Sequence, residues 1–108
     1  MNLIELVGHF RNLESAMRVI AAELPGVYEG QVDIYLKDQL DVRAEVRFFD
    51  AETIPGTLHM KVDGVQYVNL FPFSMTQEMV EAYADAAGKK FSDLDIAKKL
   101  LDYRNRDA

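Results

Sequence analysis

TLHMKVDGVQYVNLF, residues 57–71, reads as two short strands joined by a tight turn. Runs rich in β-branched and aromatic residues flank Asp63-Gly64, and Asp-Gly between such runs is a strong local signal for a two-residue hairpin turn of the primed type. The turn fixes a register: Val62 opposes Val65, Met60 opposes Tyr67 and Leu58 opposes Asn69 on one side of the ribbon. Lys61 opposes Gln66, His59 opposes Val68 and Thr57 opposes Leu70 on the other. Assigning Leu58, Met60, Val62, Val65 and Tyr67 to the core turns Val68 and Leu70 outward, beside His59 and Lys61.

Upstream of the hairpin the period is also two. Val32, Ile34 and Leu36 alternate with Asp33, Tyr35 and Lys37, and Val42, Ala44, Val46 and Phe48 alternate with Arg43, Glu45 and Arg47. These are two strands with one wet face, separated by the polar turn Lys37-Asp38-Gln39. The segment Asp50 to Gly56, which holds Pro55-Gly56, is a connecting loop. Sequential strands on short connections usually pair, so the expected sheet is a four-stranded antiparallel meander.

Helical periods bracket the strands. Asn2 and Glu5 form a capping box, and Leu3, Leu6, Val7, Phe10, Leu13, Met17, Ile20, Ala21 and Leu24 recur at helical spacing. They predict one long amphipathic helix, or two short ones broken near Asn12, ended by Pro25-Gly26. After the hairpin, Ser74 with Gln77 reads as a second capping box ahead of the apolar positions Met75, Met79, Val80, Tyr83 and Ala87, with Gly88 as the stop. Ser92 with Asp95, stapled by Phe91 and Ile96, opens a last helix whose end, residues 105–108, is expected to fray. The fold class is therefore α+β: a long N-terminal helix, the meander, and two C-terminal helices packed on one face of the sheet in a single domain, 1–108.

Composition narrows the function. A chain of 108 residues that is 49% apolar and 28% charged can bury one continuous core. It has no cysteine, which excludes disulfides, thiol catalysis and thiolate metal sites. A net charge of −6 disfavours phosphate backbones and anionic membranes as partners. MNLIELVGHF carries Glu5 and lacks a basic leader, so it is not expected to act as a signal peptide, and no run reaches the ~18 apolar residues of a membrane span. The expected setting is cytoplasmic.

No nucleophile elbow, phosphate-cradling glycine loop or HExxH motif is present, so no catalytic, cofactor or metal residues are assigned. His9 and His59 are boundary or surface positions, and an enzyme built on His59 with neighbouring Arg and Glu residues is the least favoured reading. The preferred function is a protein-interaction module of inhibitor, immunity or chaperone type. Its expected contact surfaces are an acidic helix side, Glu78, Glu81 and Asp85, where like charges at helical spacing repel, and a part-apolar sheet face. That face comprises Tyr35, Arg43, Glu45, Arg47, His59, Lys61, Val68 and Leu70, with a homodimer as its simplest use. The alternative is a small-molecule pocket at a corner formed by Tyr67, Asn69, Phe71 and Phe73, since Asn69 falls on the assigned core side.

Overall fold

A computed structural model of the chain describes residues 1–86 and 90–107. Helices α1 (Leu3–Phe10) and α2 (Leu13–Glu23) precede strands β1 (Val32–Lys37), β2 (Val46–Asp50), β3 (His59–Val62) and β4 (Val65–Pro72), and helices α3 (Phe73–Ala84) and α4 (Asp93–Asp107) follow the sheet. The fold is α+β with a four-stranded antiparallel sheet.

The sheet is not a meander. Its strand order is β2-β1-β4-β3, so two hairpins lie side by side and meet at the β1–β4 seam. The β3–β4 register is the one the turn dictates, with His59 opposite Val68, Met60 opposite Tyr67, Lys61 opposite Gln66 and Val62 opposite Val65. Asp63 and Gly64 both have positive φ, 50° and 81°, as a primed turn requires. Leu70 is an extra residue in β4, because Ile34 pairs with Phe71 while Tyr35 pairs with Asn69. This bulge lets two consecutive residues, Leu70 and Phe71, both enter the main core.

That core lies between the sheet and the helices. Leu3, Leu6, Val7 and Phe10 of α1 pack with Val32, Ile34 and Leu36 of β1, Phe48 of β2, Leu70 and Phe71 of β4, and Ile96 and Leu100 of α4. The Phe10 ring meets Phe73 edge-on at 5.3 Å and Phe48 at 6.4 Å. Arg11 at the end of α1 pairs with Asp93 at the start of α4, N to O 2.7 Å, and donates to the Phe91 carbonyl. Close approach of these helices leaves little room at Gly8, where a Cβ would stand 3.1 Å from the Asp93 carboxylate.

The N-terminal helix is two helices. Asn12 leaves the helical conformation, φ −137°, and its side chain caps α2 by accepting from the Ser15 N–H. The break redirects the second half of the apolar stripe: Ala16 and Ile20 are buried while Leu13, Met17 and Ala21 are exposed. The capping box Asn2/Glu5 forms, as does Ser92/Asp95. The Ser74/Gln77 box does not. α3 starts at Phe73 after Pro72, and Gln77 is buried, donating instead to the Phe10 carbonyl and to Glu81. Ala87 and Gly88, expected to extend and stop α3, lie outside the described residues. α4 continues to Asp107, so the predicted frayed end is helical through that residue.

Candidate functional site

The hairpin faces are inverted relative to the sequence reading. Val68 is 5% exposed and Leu70 fully buried, both on the helix side with Leu36 and Ile34. Met60 and Tyr67 lie on the opposite side with Tyr35 and Phe49, forming a second, smaller cluster. The expected partner face is thereby divided. Tyr35 and Arg47 belong to the outer side, and His59 and Lys61 share the helix side with Val68 and Leu70. Arg43 stands in the exposed turn before β2, which starts only at Val46, and Glu45 bridges to Asn2.

Strand order explains why the outer side is not open. β2 and β3 are the two edges, so the connection through residues 51–58 must cross from one edge to the other, and the helices already occupy the opposite side. Ile54 packs on Tyr35, Phe49, Met60 and Tyr67 as the connection passes. The Tyr35 hydroxyl donates to the Thr57 carbonyl at 3.0 Å, and Gln31 donates to Glu52 at 3.0 Å, pinning the crossing at two points. Burial pushes the Tyr35 phenol above its ordinary value; a hydrogen bond with the Asn69 side chain opposes this and the Asp33 charge reinforces it. Burial likewise raises the Asp33 carboxyl.

Arg47 closes this cluster from the solvent side. Its guanidinium lies 4.6 Å from the Phe49 ring centroid and 5.4 Å from that of Tyr67, and it donates to the Tyr67 hydroxyl at 2.9 Å. Phe49 meets Tyr35 and Tyr67 edge-on at 5.5 and 5.3 Å. Each polar tip in the cluster has a partner, so the arrangement is a closed structural unit.

The Tyr67, Asn69, Phe71 and Phe73 corner does not assemble. Tyr67 and Asn69 are on the outer side and Phe71 and Phe73 are in the helix-side core, so the sheet itself separates the two pairs. Asn69 instead sets its side chain against Tyr35, and its carbonyl accepts from Arg104 Nε of α4 at 3.1 Å.

Glu78 and Glu81 on α3, and Asp85 at its C-terminal cap, are exposed on one side. Glu81 is the one with a defined role in packing, since Gln77 bridges it to the C-terminal end of α1. His9 is exposed in the last turn of α1 and His59 is exposed at the start of edge strand β3. Among the described residues no group of three or more His, Asp or Glu is placed to hold a metal ion.

Two surfaces were missed in the sequence. One is the exposed side of α2; Asn12 signalled the break but not the direction in which the second helix turns. The other is a recess on the helix side of the sheet at Val68 and Leu58, whose rim carries Arg104, a residue 36 positions from Val68 with no local signal of its destination. No helix of the described residues is long and apolar enough to cross a membrane. Comparison with protein-family models, curated proteins and solved structures found no match.

Proposed function

We propose that the chain is a protein-interaction module that acts by non-covalent association, with a second copy of itself as the simplest partner and the cytoplasm as its setting. The observation that carries the reading is the outer side of α2. Leu13 and Met17, one turn apart, are 54% and 37% exposed, and Ala21 continues the line. Large apolar side chains left in water forgo roughly 1.5–3 kcal/mol each relative to full burial. The exposed Glu14–Arg18 pair runs beside the line and supplies the polar rim that interfaces characteristically have. Stripe against stripe about a two-fold axis is self-complementary. The acidic side of α3 adds a second surface, Glu78, Glu81 and Asp85, suited to steering a basic partner as inhibitor, immunity and chaperone-like proteins do.

Light scattering on a sizing column, from micromolar to millimolar protein, tests the self-association. A dimer that becomes a folded monomer with Met17→Glu supports it; a wild-type monomer at millimolar concentration removes it. The acidic surface is tested with polylysine, comparing lysine substitutions at Glu78, Glu81 and Asp85 with the charge-matched, exposed set Glu23, Glu45 and Asp102. Equal loss of binding by both sets would reduce the α3 surface to net charge alone.

A further inference from the structure

The recess at Val68 has a shape and chemistry that the interaction reading does not use. Its apolar lining is Val68 of β4, Leu40 from the segment after β1 and Leu58, the residue before β3, and its volume is about 330 Å³. That lies at the small end of ligand pockets, ~300–1,000 Å³, which characteristically combine apolar lining with a few placed polar groups. Arg104 stands at the rim, with His59 and Asp38 the other titratable residues. A recess of about 420 Å³ along β2 sets Leu24, Val46, Phe48 and Tyr67 among Glu23, Lys37, Glu45 and Arg47, so charges of both signs interrupt its apolar lining and single out no one ligand charge.

The walls are fixed by backbone bonds. Asp38, held at φ 67°, donates its N–H to the Gln66 carbonyl, which ties the segment after β1 to β4. Leu58 accepts from the Asn69 N–H at 2.8 Å. Arg104 is anchored by its Nε at the Asn69 carbonyl, where the β4 bulge lies, with its guanidinium carbon 5.9 Å from the Phe71 ring centroid. That anchoring commits one nitrogen of the fork and keeps the two terminal amino groups for another acceptor, and a planar guanidinium suits a carboxylate in bidentate geometry.

We infer that this recess binds a small amphipathic carboxylate, its alkyl or branched apolar part on Val68, Leu58 and Leu40 and its carboxylate on Arg104. An anion is favoured over a cation because the guanidinium at the rim is fixed in place, whereas Asp38, the one carboxylate of the lining, is exposed to water.

The test is an amide NMR titration of the full chain with sodium octanoate, octanol and octylammonium. Octanoate is expected to give saturable shifts at residues 38–40, 58–59, 68 and 104, with octanol and octylammonium weaker by about tenfold or more, the usual value of a charge-assisted hydrogen bond. Arg104→Gln, which keeps an amide donor but removes the charge, is expected to lose a similar factor. Leu58→Gln, at an exposed position, should weaken octanoate and octanol alike, and it carries the test if Arg104→Gln does not fold. Absence of saturable shifts at these residues below the micellar concentration would overturn the assignment. So would equal binding of octylammonium, shifts centred on Leu13 and Met17, or wild-type binding by both folded variants.

Discussion

The two sides of the sheet are buried by different means. One is covered by four helices, and over the middle of the sheet it is apolar: Val32, Ile34, Leu36, Phe48 and Leu70 all belong to the main core. The other is covered by a single irregular connection, and its buried residues are Tyr35, Tyr67, Phe49 and Met60. Helices satisfy their own backbone groups, so they need only an apolar surface to rest on. A loop brings unpaired carbonyls with it, and these must find donors when they are buried. Tyrosine offers an apolar body and a hydroxyl, and Tyr35 uses its hydroxyl on the Thr57 carbonyl.

This contrast is broken first by deleting one large ring from each side. Phe10→Ala, in the fully buried helix-side core, is expected to cost about 3–5 kcal/mol in urea unfolding. Phe49→Ala should fall at the low end of that range, since its cluster is small and is roofed by a connection rather than by packed helices. Equal losses would mean that the loop packs as tightly as the helices. Tyr35→Phe sharpens the comparison by removing only the handle: stability should drop by about 0.5–1.5 kcal/mol, with faster amide exchange in residues 51–58 and unchanged exchange in α1. Arg47→Lys keeps the charge but loses the flat stacking over Phe49 and Tyr67, and less than about 1 kcal/mol should follow.

Asp33 gives the smallest effect, and its sign is opposite. Its folded carboxyl is raised by burial, so the folded state holds that proton more tightly than the unfolded chain does. Its favourable contribution is therefore present in acid, below the ordinary carboxylate value, and is lost as pH rises through the raised value. Asp33→Asn should melt with the wild type near about pH 3 and slightly above it near about pH 7. A variant less stable than the wild type at neutral pH would show that the ionised carboxylate has a favourable partner.

Most local signals were readable because they depend on neighbours in the chain; the Ser74/Gln77 box failed because Gln77 is drawn into the contact with α1. Asp63-Gly64 requires a particular turn and the turn fixes the pairing; Asn2 with Glu5 and Ser92 with Asp95 cap helices using residues three positions apart. Which side of the hairpin meets the helices was not readable, because VQYVNLF is apolar on both sides. Period two gives the pairing of such a strand but not its polarity. Tyr35 looked like a wet-side residue and is fully buried, because the connection that crosses its side of the sheet follows a route set by strand order, for which the chain carries no local signal. Of the site residues, Glu78 and Glu81 of α3 and Asp85 at its cap stand on a common exposed side as spacing implies, whereas the divided face and the Tyr67, Asn69, Phe71 and Phe73 corner depended on the same unreadable polarity.

The crossing connection also divides the molecule in a way that invites dissection. Pro55 and Gly56 are exposed, and a cut there would leave one piece holding α1, α2 and the β1–β2 hairpin and another holding β3–β4, α3 and α4. Each piece keeps its own hairpin, and they are joined by the β1–β4 ladder, the packing of α1 on α3 and α4, and the aromatic cluster, to which each piece gives two buried residues. Neither half can bury its share of the core alone, yet each presents the surface the other lacks. The chain thus has the layout of a split reporter, whose halves recover the fold only when something brings them together.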